Sequence, residues 1–333
     1  MKTRRRVRPR FFLFVALGTI LIVSIVSFLL RPRMPATASR DPAPSQLSVK
    51  SVPHPHAFYT LTPFGLPQPL KNFGLIGIGP GVFAVAGGRT TTGLNGTVYT
   101  LTENGAVMDG NLAQPRQNGG LIDLGANPVY IGGVDSQNIS QASEEFLSGG
   151  KTLSVLPQGL SRFAIAYNGR TTYLVGGEGL AGASPDIYRI SEQGQASLWS
   201  QLPIALVHPM AEVFQGALYV AGGTTASGAI SSTIYRIPLT NGRPEPWAKM
   251  PLGLTDGALV LLDHHLWLLG GSTGSHLSNA VWVIDHHTLI PTQSLPVPLA
   301  GFATAYFGNA VWILGGQTPQ GLSSTIYVLE ANH

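Results

Sequence analysis

RFAIAYNGRTTYLVGGEGLAGASPDIYRISEQGQASLWSQLP, residues 162–203, contains one complete structural unit. RFAIAY (162–167) meets an Asn168-Gly169 turn, and TTYLVGG (171–177) follows. DIYRI (186–190) and ASLWSQLP (196–203) come next across short loops. This reads as four strands. The outer ones alternate in polarity, whereas the second is apolar on both faces and must be covered from both sides. A four-stranded sheet with such a strand cannot stand alone. It needs a neighbouring sheet on each face, and radial stacking supplies both.

The rest of the chain repeats the unit. The short apolar strand ending in Gly-Gly recurs at VFAVAGG (82–88), VYIGG (129–133), LYVAGG (218–223), LWLLGG (266–271) and VWILGG (311–316). With the 162–203 copy, the first glycines are Gly87, Gly132, Gly176, Gly222, Gly270 and Gly315, 44–48 residues apart. An aromatic follows each doublet in phase: Tyr99, Phe146, Tyr188, Tyr235, Trp282 and Tyr327. Leu156-Pro157, Leu202-Pro203, Met250-Pro251 and Leu295-Pro296 each precede a doublet by 19 residues, and Leu66-Pro67 precedes the first by 20. The last unit stops near Glu330 without a fourth strand, and an extra strand is expected around Leu66-Pro67. That N-terminal strand would complete the last sheet and close the ring. The expected fold is all-β: a six-bladed β-propeller over residues 57–333.

Apolar strand, Gly-Gly, aromatic strand and Trp-x-x-Leu/Met-Pro (Trp199 to Pro203, Trp247 to Pro251) together resemble kelch repeats. The second copy departs most, having lost its Trp. The resemblance implies that the loops between strands two and three, with the links between blades, form the ligand or partner face. On this chain those loops carry Arg89, Asp135, Glu178, Thr224, Ser272 and Gln317, and the links carry Arg116, Arg162, His208 and Asp256. The candidate binding set is Arg89, Asp135, Arg162, Glu178, His208 and Asp256. The expected role is a binding module for a protein partner or a cell-envelope saccharide. The alternative is a carbohydrate-active enzyme, since some bacterial kelch propellers resemble sugar epimerases. Glu178, Asp256 and His208 could then exchange protons, and Arg89 or Arg162 could hold a carboxylate. No catalytic residue is singled out.

Composition narrows the remaining classes. The 333 residues are 44% hydrophobic and only 11% charged, with 41 Gly and 25 Pro. That excludes a coiled coil, a charged helical bundle and a charged disordered chain. The absence of Cys excludes disulfides, thiolate metal sites and copper chemistry that needs a Cys–Tyr crosslink. Eight of the 20 basic residues lie in the first 33, leaving 12 basic and 16 acidic residues beyond them. The net positive charge therefore belongs to the N-terminal segment, and no nucleic acid is expected as a partner.

Residues 11–30 carry no charge and are long enough for a transmembrane helix. Residues 1–10, with six Lys or Arg, form a cytoplasmic segment by the positive-inside rule. Residues 31–56, with six Pro, read as a tether. This makes a single-pass membrane protein with its propeller outside the cell. Cleavage after Ala38 is the rival reading. Asp263-His264-His265 and Asp285-His286-His287 lie in two turns of one blade, where His side chains could meet over an ion. The other reading leaves them exposed, and no metal or cofactor is expected.

Overall fold

A computed structural model describes residues 55–332, apart from 125–127, 139–140, 142 and 147–151. The cytoplasmic segment, the 11–30 span and nearly all of the tether lie outside the described residues. Among those described, no helix is long and apolar enough to cross a membrane.

The described chain is all-β, with six four-stranded antiparallel sheets. They form a closed, propeller-like ring, and each sheet corresponds to one repeat. The innermost strands of blades 1 to 6 are Gly74–Gly79, Gln117–Asp123, Ala164–Tyr167, Met210–Phe214, Ala258–Leu262 and Ala303–Phe307. The second strands are Val82–Ala86, Pro128–Val134, Thr172–Val175, Ala217–Ala221, His265–Leu269 and Ala310–Leu314. Blade 6 is completed by His56–Leu61, which pairs antiparallel with Ile326–Asn332.

The closing strand is displaced from its expected position. It ends at Leu61, and Leu66-Pro67 lies in the link beyond it. The reason is visible in blade 3, where Leu202-Pro203 follows the outer strand Ala196–Gln201. The hydrophobic-Pro pair marks the exit from a blade. There its leucine is buried, Leu66 against Leu70 and Phe73.

The second strands are apolar throughout because alternate residues serve different interfaces. In blade 1, Phe83 and Val85 pack towards blade 6, while Ala84 and Ala86 pack towards blade 2. In blade 5, Trp267 and Leu269 face blade 6, while Leu266 and Leu268 face blade 4. Six apolar clusters result, one between each neighbouring pair of blades. The core is thus divided into six wedges, and the axis is left free for a channel.

The Gly-Gly doublet is the joint between successive blades. The first glycine of each pair has φ between +55° and +68°, and the second between +88° and +99°. A Cβ on the first would lie 2.1–2.8 Å from a carbonyl oxygen of the next link: Arg116, Leu160, Leu206, Leu254, Leu299 or Leu70. In five blades the second glycine donates its N–H to that same carbonyl at 2.8 Å. Both the conformation and the close approach exclude a side chain.

A second repeated device caps the loop that follows. Asn95, Gln141, Ser184, Ser231, Ser278 and Ser323 each donate their N–H to the carbonyl of the second glycine at 2.8–2.9 Å. The four serine hydroxyls and the Asn95 amide oxygen then accept the N–H two residues on. Each turn thereby feeds back into the third strand in register.

Candidate functional site

The innermost strands surround a channel of about 530 Å³. At its loop-face end stand six equivalent residues: Asn72, Asn118, Arg162, His208, Asp256 and Gly301. All six have φ between +52° and +62°. Asn, Asp, His and Gly tolerate this left-handed region, and Arg162 is the exception among them. The turned backbone lets each blade bond to the one before it. The amides of Asn118, Arg162 and His208 donate to the carbonyls of Asn72, Asn118 and Arg162 at 2.7–2.9 Å. Gly301 donates to Asp256, and Asn72 to Gly301, both at 2.8 Å. At the remaining step the Thr255 hydroxyl bonds the His208 carbonyl at 3.3 Å. The channel mouth is therefore a belt of backbone hydrogen bonds carrying five side chains.

Above the belt, the residue before each member pairs with the first residue of a two-to-three loop. The pairs are Lys71 with Arg89, Gln117 with Val134, Ser161 with Glu178, Val207 with Thr224, Thr255 with Ser272, and Ala300 with Gln317. Arg89 is exposed on this collar. The corresponding position in blade 2 is the buried Val134, one residue before Asp135. Asp135 accepts from the Gln137 amide at 2.9 Å and the Gln141 side chain at 2.8 Å, so it braces its own loop.

The other four candidates meet in two pairs. Arg162 is ion-paired with Glu178, and its second nitrogen reaches Asn138 Oδ1 at 3.4 Å. His208 Nδ1 lies 3.0 Å from Asp256 Oδ1. Burial works to raise the pKa of the Asp256 carboxyl. Hydrogen bonds from His208 and Thr255 and the charges of His208 and Lys71 outweigh it, and the net shift is downward. Lys71 itself reaches Gln317 at 3.3 Å.

Arg116 has a different role. It occupies the link position held by Leu70, Leu160, Leu206, Leu254 and Leu299 in the other blades, and it is 1% exposed. Its guanidinium stacks over Tyr130, 5.2 Å from the ring centroid, and donates to the Gly132 carbonyl at 3.2 Å. It is a buried clamp within blade 2. The two Asp-His-His turns do not converge. His287 turns to the Trp247 ring and carbonyl, and His286 pairs with its own neighbour Asp285. Among the described residues, no three His, Asp or Glu side chains are grouped to hold a metal ion.

The structure adds a group deeper in the channel. Glu212, on the innermost strand of blade 4, accepts the Tyr306 hydroxyl at 2.6 Å and the Val213 amide at 2.9 Å. Tyr306 comes from blade 6, and its oxygen also accepts the Leu261 amide of blade 5 at 2.6 Å. A contact between blades that are not neighbours must run along the lumen. Burial pushes the Glu212 carboxyl up to about 7, although both hydrogen bonds oppose the shift. Tyr306 is crowded by protein yet 48% exposed, because the wall it stands in faces the open channel. Its pKa is raised by burial and by the Glu212 charge. A single acid in MAEVF (210–214), on the strand nearest the axis, was the available signal.

A solved structure shares this fold. The chain aligns with "Structure of YjhT" at a TM-score of 0.66, covering 80% of this chain and 98% of that one at 14% identity. No known family profile matches the sequence, and no curated protein does. The likeness to YjhT is one of fold.

Proposed function

We propose that this chain is a kelch-like propeller displayed outside the cell by an N-terminal membrane anchor, and that it binds a cell-envelope saccharide at the loop-face mouth of its channel. One observation carries the reading. Arg162, His208 and Asp256 stand on the belt at the entrance to a concave space of about 530 Å³, with Glu178 paired to Arg162 from the collar and His208 paired to Asp256. That size suits a small ligand, whereas a protein partner calls for a broader, shallower surface. The repeat pattern supports the kelch assignment, and the uncharged 11–30 segment behind a basic cluster supports the anchor.

The His208–Asp256 contact favours a second reading, in which the same mouth carries out acid–base chemistry on a sugar. The test is a thermal-shift and calorimetric screen of the full-length protein against envelope saccharides, repeated with Arg162→Ala and His208→Ala. A ligand at 100 times its Kd adds about 2.7 kcal/mol. Saturable binding lost in both variants is expected. Binding that survives both would remove the mouth from the proposal. Turnover of a bound sugar that disappears in His208→Ala would establish the second reading.

A further inference from the structure

The channel lining offers acceptors and, among the described residues, no cation without a carboxylate partner. The two basic residues in its lining, Arg162 and His208, are already engaged with Glu178 and Asp256. Lys71 and Arg89 sit outside that lining, on the collar. Asn118 is only 8% exposed, and its Oδ1 has no hydrogen-bond partner among the described residues. A buried acceptor left in this state favours an incoming donor. Glu212 presents a second acceptor, with no ion pair to any cation among the described residues. It lies on the innermost strand Met210–Phe214, beyond the belt residue His208. Its ionised form is penalised by burial, a cost that a bound ammonium would offset.

We infer that the channel takes a donor-rich ligand without negative charge, and prefers an amine-bearing disaccharide whose hydroxyl meets Asn118 Oδ1 and whose ammonium meets Glu212. The inference rests on the saccharide reading above and deepens it. An anionic sugar is disfavoured, because the lining cations are spent and the Glu212 carboxyl is uncompensated.

Three β-1,4 disaccharides of one shape test it by calorimetry on the full-length protein: the glucosamine dimer, cellobiose and cellobiuronate. The amine should bind about tenfold or more tighter than cellobiose, as a charge-assisted hydrogen bond implies, and cellobiuronate should bind weakest. Glu212→Gln should bring the amine to the level of cellobiose. Asn118→Gly, which keeps the left-handed backbone accessible, should weaken the amine and cellobiose by a similar factor. Melting curves of both variants check that each folds. Tightest binding by cellobiuronate, or an amine preference that survives in Glu212→Gln, overturns this inference and leaves the saccharide reading standing. Binding by none of the three removes the inference and weighs against the saccharide reading as well.

Discussion

Replacing Gly222 with Ala tests the joint between blades. Its φ is +65°, and an added Cβ would lie 2.1 Å from the Leu254 carbonyl oxygen. The left-handed conformation costs a non-glycine residue about 1–2 kcal/mol. Moving the Leu254 carbonyl away weakens its bond from the Gly223 amide, now 2.8 Å, at about 1 kcal/mol. Local repacking adds about 1–2 kcal/mol, so the sum is about 3–5 kcal/mol. Gly216 in the same blade supplies the control. Its φ is +73°, but nothing lies within 4 Å of an added Cβ. Gly216→Ala should therefore carry only the conformational part, about 1–2 kcal/mol. At about 2 °C per kcal/mol for a domain this large, Tm should fall by about 6–10 °C in the first variant and about 2–4 °C in the second. Differential scanning calorimetry of the full-length protein reads both. Equal melting temperatures would mean that the carbonyl contact does not dictate the doublet.

Other perturbations have equally definite outcomes. The folded-state pKa of Glu212 is raised, so the native state holds the extra proton between about pH 4.5 and 7, and stability should fall as pH rises through that window. Glu212→Gln should remove this slope and gain about 1–3 kcal/mol at pH 8, measured by denaturant melts. Asp256 has the opposite sign: its lowered pKa contributes stability that is lost as pH falls through it, so wild type should lose more than Asp256→Asn below about pH 4. Tyr306→Phe removes a bond that holds the Glu212 pKa down, and NMR titration of that carboxyl should move further up. Arg116→Ala should cost about 2–4 kcal/mol in a urea melt, because it empties a buried site and strips the Gly132 carbonyl of a donor.

The repeat, the blade count and closure through the N-terminus were legible because they depend on residue type at fixed spacing. Only glycine satisfies the doublet, so it recurs six times. The belt was largely illegible for the opposite reason. Its six members share a backbone conformation and not a chemistry, so no residue type groups Asn72 and Asn118 with Arg162, His208 and Asp256. The serine cap has a signature in SPDIY, SSTIY and SNAVW, a serine just ahead of the third strand. Asp135 shows the limit of counting along a chain: Val134 holds the equivalent place, and the charge one residue later belongs to its own loop. Arg116 reads as a link residue of the loop face because nothing in the sequence marks it as the sixth member of a leucine series. The Glu212–Tyr306 contact joins residues 94 positions apart and could not be inferred without coordinates.

The closing strand also sets the order of events during synthesis. His56–Leu61 leaves the ribosome before any blade is complete, yet its partner Ile326–Asn332 is made only after all the intervening blades, with Leu61 facing Tyr327. At about 5–20 residues per second, the early strand waits roughly 13–50 s for the segment it must join. During that interval both ends of the arc expose unpaired ladders, the hazard that closed rings otherwise abolish. The ring can be sealed only once Ile326–Asn332 has emerged to meet the waiting strand. A nascent chain stalled within blade 6 would therefore be the species most in need of a chaperone.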